Sequence, residues 1–110
     1  MNAPTPSVVT RYFAAADARD FTELADCFVS DGFVVDEGTT YRGHDEIIGW
    51  RQDVAAKWTF TTTVTGSESV SPTEFRVHAR VEGDFPGGVA ELTYRFVLRD
   101  DAITELSIAE

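Results

Sequence analysis

The sequence is poor in the features that mark several large protein classes. Cys27 is the only cysteine among 110 residues, so no internal disulfide can form. No stretch approaches the roughly 18 consecutive apolar residues of a membrane-spanning helix. The N-terminal segment "MNAPTPSVVT" also lacks the basic region and apolar run of a signal peptide. We therefore expect a cytoplasmic protein that has no membrane partner.

Basic residues and metal-binding patterns are scarce as well. Nine bases against nineteen acids give a formal charge of −10, which repels phosphate backbones, so we expect no nucleic-acid partner. His44 and His78, the only histidines, stand apart without the spacing of a metal site. No glycine-rich phosphate loop, serine elbow or Cys–His pair is present. The sequence therefore predicts neither a metal nor a cofactor.

The composition that remains is typical of a globular domain. Apolar residues make up 43% of the chain and charged residues 25%, which is too apolar for a disordered chain. The length suits one domain that buries a single core without disulfides or metals. We therefore expect residues 1–110 to form one domain without a linker.

Helical spacing of apolar residues predicts three helices in the first half of the chain. "TPSVVTRYFAAADARD" indicates a helix capped by Thr5, with a proline in its first turn and an end near Arg19. Asp20 and Glu23 form a capping-box pattern for a second, short helix that "SDG" ends. "HDEIIGWRQDVAAKW" predicts a third helix, which we expect His44 to help cap. The apolar face of this helix consists of Ile47, Trp50, Val54 and Trp58.

From Thr59 onward the apolar period changes from helical to two, which predicts strands. "FVVDE" indicates an earlier strand over 33–37, followed by an irregular connection over 38–43. "GSESVSPT" and "GDFPGG" are expected to be hairpin loops, and a tight turn at Asp100 and Asp101 precedes the last strand. The predicted inward sets are Phe60, Thr62 and Val64; Phe75, Val77, Ala79 and Val81; and Ala90, Leu92, Tyr94, Phe96 and Leu98. The pattern predicts an α+β domain with helices on one side of a curved, mostly antiparallel sheet and a pocket between the layers.

The order of these elements resembles the nuclear transport factor 2-like superfamily, which includes ketosteroid isomerases and SnoaL-like polyketide cyclases. The resemblance covers nearly the whole chain and is most specific in "RYFAAADARD" and "SDGFVVDEGTTYRGHDEI". It implies a cone-shaped, cystatin-like α+β barrel with three N-terminal helices on a strongly curved sheet. It also implies a homodimer through the outer sheet face, where the alternative is a solvated charged face. The cations expected on that face are Arg76, His78, Arg80, Arg95 and Arg99.

Asp36 and Tyr12 match the two catalytic positions that the resemblance implies. In ketosteroid isomerases an aspartate at the end of the first strand removes a proton next to a ketone, and Asp36 in "VVDEG" matches it. A tyrosine that follows an arginine in the first helix donates a hydrogen bond to the enolate, and Tyr12 in "RY" matches it. Strand alternation alone leaves open whether Asp36 or Glu37 faces inward, and the resemblance favours Asp36.

Two departures from the isomerase pattern separate this chain from the steroid enzymes. The second oxyanion donor of those enzymes is a protonated aspartate on the strand that corresponds to "VAELTYRFVLRD". Here the inward residues of that strand include no acid, so Tyr94 or Phe96 stands in its place. Glu91 has the opposite parity, and Glu37 occupies the position of a proline that follows the base.

The function is predicted as a pocket for a small, apolar, carbonyl-containing molecule. General-base isomerisation, cyclisation or dehydration through Asp36 is the first hypothesis. A binding module without chemistry and a homodimeric interaction domain with a filled interior are the alternatives. The residues expected to contact the ligand are Trp50, Trp58, Phe60, Phe75, Tyr94 and Phe96.

Overall fold

The computed structural model describes residues 5–110. The first four residues of the N-terminal segment, for which no signal peptide is expected, lie outside the described residues. Within that range no helix is both long and apolar enough to cross a bilayer. The helices are α1 (Ser7–Asp17), α2 (Phe21–Asp26) and α3 (His44–Lys57). The strands are β1 (Phe28–Asp36), β2 (Thr39–Arg42), β3 (Phe60–Ser71), β4 (Glu74–Gly83), β5 (Val89–Arg99) and β6 (Ala102–Ala109).

The three predicted helices are present, and their first residues show which capping predictions hold. One half of the capping box predicted for α2 is confirmed, because the Asp20 carboxylate accepts a hydrogen bond of 3.2 Å from the backbone N–H of Glu23. The reciprocal half is absent, because the Asp20 N–H donates to the carbonyl of Ala15 instead. The predicted cap of α1 is wrong. Pro6, not Thr5, is its N-cap residue, and the Pro6 carbonyl accepts a bond of 3.0 Å from the Val9 N–H.

His44 does not cap α3, contrary to the sequence-based expectation. Gly43 is the N-cap residue of that helix and makes no side-chain cap bond. The His44 imidazole Nε2 instead lies 2.9 Å from the carbonyl oxygen of Phe28, at the start of β1. The residue therefore joins the beginning of α3 to the beginning of the first strand.

The first strand is longer than predicted and is followed by a second, unpredicted strand. β1 begins at Phe28, so "SDG" lies inside it, at a shift in the register with β6 that falls between Phe28 and Phe33. β2 replaces the expected irregular connection and pairs antiparallel with β1. Glu37 and Gly38 form the turn between them with φ of 51° and 77°, the backbone typical of two-residue hairpins.

The six strands form one sheet in the order β2-β1-β6-β5-β4-β3. β1 and β6 are parallel, and every other neighbouring pair is antiparallel. The sheet curves without closing, because β2 and β3 remain at opposite edges. α3 packs on β1 and β2, and the helices with the sheet enclose one apolar core. The predicted α+β class, with three helices on a mostly antiparallel sheet, is confirmed.

Alternation along the strands is confirmed for β4 and β5 but not for all of β3. The predicted inward residues of β4 are buried, and their neighbours in sequence are exposed or half-buried. Val64 of β3 was expected to point inward and is instead 50% exposed, next to a register shift between Val64 and Gly66. The predicted loop at 66–73 is wrong, because β3 continues to Ser71 and the turn is confined to Pro72 and Thr73.

Most of the cations expected on the outer sheet face pair with acids of the same chain. The pairs are Arg76–Glu74 at 3.3 Å, Arg95–Glu74 at 3.2 Å, Arg95–Glu105, His78–Glu68 at 3.4 Å and Arg80–Glu82 at 3.3 Å. The pairs whose two side chains are both exposed, Arg80–Glu82 and His78–Glu68, contribute little to stability. Their presence favours the solvated charged face over a face whose charges await a partner subunit.

Candidate active site

A cavity of about 870 Å³ lies between the helices and the inner face of the sheet and opens to solvent. Its volume is within the usual range for small-molecule sites, about 300–1,000 Å³. α1, the end of β1, α3 and the inward residues of β4 and β5 contribute its walls. The chemistry of this cavity depends on four polar side chains: those of Tyr12, Asp36, Arg51 and Tyr94.

Asp36 faces the cavity because it has the same strand parity as Val34, which is completely buried. The carboxylate is half-buried, and its Oδ2 accepts a hydrogen bond of 3.0 Å from the indole N–H of Trp50. Burial raises the pKa of Asp36, while the bond from Trp50 acts in the opposite direction. Asp36 is therefore a stronger proton acceptor than a solvated aspartate, and its geometry is fixed by α3. Glu37 is exposed.

Tyr12 and Tyr94 place two hydroxyl groups in the same cavity. Their side chains are 3% and 7% exposed, and neither hydroxyl has a hydrogen-bond partner within residues 5–110. Both hydroxyls retain accessible surface, since no sealed polar side-chain atom of that range lacks a partner. Burial raises the pKa of Tyr12 above its ordinary value and that of Tyr94 to about 12, and the charge of Asp36 acts in the same direction. Both phenols therefore remain protonated donors.

Aromatic contacts hold the two tyrosines in place. The Tyr12 ring packs edge-on against Phe13, Phe28 and Phe96, with centroid separations of 5.3, 6.2 and 5.6 Å. Phe13 also contacts the Tyr94 ring at 5.1 Å. These edge-to-face packings fix both rings without using either hydroxyl. The rings are thus held while the hydroxyls keep no partner among the described residues.

The structure brings most, but not all, of the predicted site residues to the cavity. Those that line it are Tyr12, Asp36, Trp50, Trp58, Phe60 and Tyr94. Phe75 and Phe96 do not line it; they are 3% and 0% exposed and face each other across β4 and β5 inside the packed core. Of the two residues considered for the second oxyanion donor, Tyr94 therefore faces the cavity and Phe96 does not.

Arg51 is the cavity residue that the sequence analysis missed. It is only 7% exposed, and its guanidinium lies over the rings of Phe21 and Phe60, at 5.0 and 5.7 Å from their centroids. A signal for it exists in the sequence. Arg51 is four residues after Ile47 and one after Trp50, so helical spacing places it within the apolar face of α3.

Comparison with known proteins identifies the family of the chain. The profile of the SnoaL-like domain matches residues 7–102. A candidate polyketide cyclase from Sinorhizobium meliloti is 31% identical with a TM-score of 0.90, over 96% of this chain and 95% of that protein. No match is found among curated proteins.

Two more distant structures share the fold. A protein with a ketosteroid isomerase-like fold from Catenulispora acidiphila, in complex with trimethylamine, is 24% identical with a TM-score of 0.87, over 97% of this chain and 87% of that protein. The Δ5-3-ketosteroid isomerase from a Mycobacterium species is 18% identical with a TM-score of 0.77, over 94% of this chain and 90% of that enzyme.

Proposed function

The chain belongs to the SnoaL-like domain family, and from this premise we propose that it binds a small, largely apolar carbonyl compound and converts it by general-base chemistry at Asp36. The observation that carries the proposal is the combination of groups in one cavity. A half-buried carboxylate, which is the base, shares it with two protonated phenols whose hydroxyls have no partner among the described residues.

In the proposed reaction, Asp36 accepts a proton from the carbon next to a ketone carbonyl. The electron pair of the broken C–H bond moves onto the carbonyl oxygen and produces an enolate. Tyr12 and Tyr94 donate hydrogen bonds to that oxygen as its charge develops, which lowers the barrier. Return of the proton from Asp36 to another carbon completes an isomerisation. Attack of the enolate carbon on a second carbonyl of the same molecule produces an alkoxide that takes the proton from Asp36, which gives a cyclisation. Expulsion of a β-hydroxyl group by the enolate, with the proton of Asp36 transferred to that leaving group, releases water and gives a dehydration.

Trp50 supports this assignment through its position. Its indole N–H bonds one oxygen of Asp36, and its ring stacks on Tyr41 at a centroid separation of 5.9 Å. The bond from Trp50 therefore restrains the orientation of the carboxylate. Such support of a base by a neighbouring group reduces the reorganisation needed during proton transfer.

The experiment that tests the proposal is solvent-deuterium exchange. 2-Tetralone, a flat and enolisable ketone, is incubated with the protein in deuterated buffer, and loss of its α-proton signals is followed by NMR. We expect Asp36→Asn to reduce the protein-dependent exchange rate by about 100-fold or more. The asparagine still offers an oxygen to Trp50, so its fold is retained. Tyr12→Phe and Tyr94→Phe are each expected to reduce the rate by roughly 10-fold or more, because each removes one donor to the enolate.

Glu91→Gln is the control, because Glu91 is an exposed acid of β5 that does not line the cavity. It is expected to leave the exchange rate within about threefold of wild type, since an acid outside the cavity does not reach the substrate. Equal exchange by wild type and Asp36→Asn would remove Asp36 from the chemistry. Binding of 2-tetralone without exchange would favour the alternative, a binding module. The homodimer through the outer sheet face stays a prediction, and light scattering of the purified protein tests it.

A further inference from the structure

Arg51 is a buried cation that forms no direct ion pair within residues 5–110, although the charge of Asp36 is near enough to interact with it. No carboxylate oxygen of residues 5–110 lies within 4.0 Å of its guanidinium nitrogens, and its side chain makes no hydrogen bond in that range. A charge withdrawn from water is costly unless it is paired, so proteins rarely keep one without a purpose. The aromatic rings of Phe21 and Phe60 lie near the guanidinium but offer no hydrogen-bond acceptor to its N–H groups.

The N–H groups of Arg51 are directed at open space. Arg51 borders both the main cavity and a smaller recess of about 310 Å³, whose polar lining also includes Asp17, Arg19, Thr61 and Thr62. No sealed side-chain nitrogen or oxygen of the described residues lacks a partner, so the guanidinium nitrogens retain access to these spaces. Contacts with the two rings restrict the position of the guanidinium before any ligand arrives. The group is therefore prepared to receive a planar acceptor.

From these observations we propose that Arg51 binds a carboxylate of the ligand that occupies the cavity. Carboxylates match the planar fork of arginine through two parallel hydrogen bonds. One negative charge also suits the surroundings better than the two charges of a phosphate monoester. Five acids line the cavity against two bases. The acids are Asp17, Asp36, Glu37, Asp53 and Glu110, and the bases are Arg51 and Lys57.

The inference rests on the proposed function and narrows its substrate class to carbonyl compounds that carry a carboxylate. Arg51 follows Trp50 directly in α3, and Trp50 holds the base Asp36. Successive helical residues point about 100° apart, so the two side chains reach different parts of one cavity. A carboxylate fixed at Arg51 would thus orient the remainder of the ligand, with its carbonyl towards Tyr12 and Tyr94.

Calorimetric titration with two matched probes tests the proposal. 2-Naphthoate carries a carboxylate, and 2-naphthamide is its neutral counterpart of nearly the same shape. We expect wild type to bind 2-naphthoate at least about 10-fold more tightly than 2-naphthamide at neutral pH, because the carboxylate makes charge-assisted bonds. Arg51→Met should reduce the affinity for 2-naphthoate to that for 2-naphthamide. Its affinity for 2-naphthamide should change less than about threefold, which also reports that the cavity is intact.

Two further variants separate the role of Arg51 from general charge and from folding. Arg51→Lys keeps the charge but loses the fork, so we expect it to retain only part of the preference. Arg19→Met, in the smaller recess, is expected to keep the whole preference. The wild-type comparison of the two probes needs no variant and stands even if Arg51→Met does not fold.

The proposal is overturned by equal affinities of wild type for the two probes, by no binding of 2-naphthoate at millimolar concentration, or by a full preference in both Arg51 variants. Its failure is distinguishable from failure of the base chemistry. Exchange of neutral 2-tetralone that depends on Asp36, without any carboxylate preference, would leave the base and remove the Arg51 site. Conversely, wild type could prefer 2-naphthoate while Asp36→Asn still exchanges 2-tetralone at the wild-type rate. That result would keep the Arg51 site and remove Asp36 as the base.

Discussion

The two ends of the β4–β5 pair have the same alternation but different interiors. At one end Phe75 faces Phe96, and the core between sheet and helices is filled. At the other end Val81 faces Ala90, and both residues line the cavity. Alternation therefore determines which face of a strand is buried, whereas side-chain size along that face determines whether it is packed solid or left open. We call these the Phe96 end and the Ala90 end.

Tyr94 marks the boundary between the two ends. Its ring stacks on Phe96 at a centroid separation of 6.4 Å and so belongs to the packed part of the core. Tyr94 also lines the cavity, where its hydroxyl has no hydrogen-bond partner among the described residues. The same side chain thus contributes apolar packing on one side and a polar group on the other. The comparison predicts that stability depends mainly on the Phe96 end and ligand contacts mainly on the Ala90 end.

The largest effect on stability is expected for Phe96→Ala. Removing a completely buried phenyl ring should lower the free energy of unfolding by about 3–5 kcal/mol. Tyr94→Phe is the matched change at the boundary and should cost less than about 1 kcal/mol, because its hydroxyl loses no protein hydrogen bond. Urea unfolding followed by circular dichroism measures both. Similar losses for the two variants would show that the ends are not distinct.

A smaller effect is expected at Gly83, where β4 ends beside the start of β3. A Cβ at Gly83 would overlap the carbonyl oxygen of Thr59 and the Cβ of Phe60, so the backbone must shift. Gly83→Ala should therefore cost roughly 1–3 kcal/mol of unfolding free energy. Gly49→Ala in α3 meets no atom within 4 Å and should instead stabilise by about 0.5–1 kcal/mol. A neutral Gly83→Ala would show that the junction of β3 and β4 is not tightly packed.

The smallest effect concerns the pH dependence of stability at Asp36. Its pKa in the folded state is raised from the ordinary value of 3.8, chiefly by burial. The folded protein therefore retains a proton that the unfolded chain has released. Stability should fall as pH rises from about 3.8 through the folded-state pKa and then level off. Asp36→Asn should gain stability relative to wild type over that interval, as urea unfolding from pH 3.5 to 7 measures.

Glu91→Gln, on the opposite face of β5, is the control for this comparison. It removes a carboxyl group that does not line the cavity, so any gain that depends on burial in the cavity should be absent from this variant. A difference between wild type and Asp36→Asn that grows as pH falls would contradict the assignment. Such a result would mean that the folded protein favours the charged form of Asp36.

Much of the fold follows from periodicity, because the inward residues of β4 and β5 and the apolar face of α3 are regular. Periodicity does not predict β2, because "TTYR" has no apolar alternation, and its pairing comes from the turn at Glu37 and Gly38. The early start of β1 was missed because Phe28 also fits the apolar stripe of the preceding helix. Such short elements take their form from tertiary pairing, which local sequence does not contain.

Strand parity and the family resemblance predict which side chains of the candidate site face the cavity. Asp36 and Tyr94 follow from those two arguments. The placement of Phe75 and Phe96 outside the cavity does not follow from them, because alternation does not show whether the space beside an inward residue is filled. Arg51 was overlooked because a charged residue in a helix is usually assigned to solvent. A charge within an apolar stripe is informative in itself, and the spacing from Ile47 contained that signal.

The bond between Trp50 and Asp36 gives the protein an internal optical reporter. The indole N–H is bonded to the carboxylate, and the ring borders the cavity. Indole emission responds to the charge and polarity of its immediate environment, so protonation of Asp36 and arrival of a ligand should each change the fluorescence of Trp50. The second tryptophan, Trp58, also borders the cavity, beside Phe85 and Lys57. Single replacement of either indole by phenylalanine would therefore assign the spectroscopic response to one wall of the cavity, without an added label.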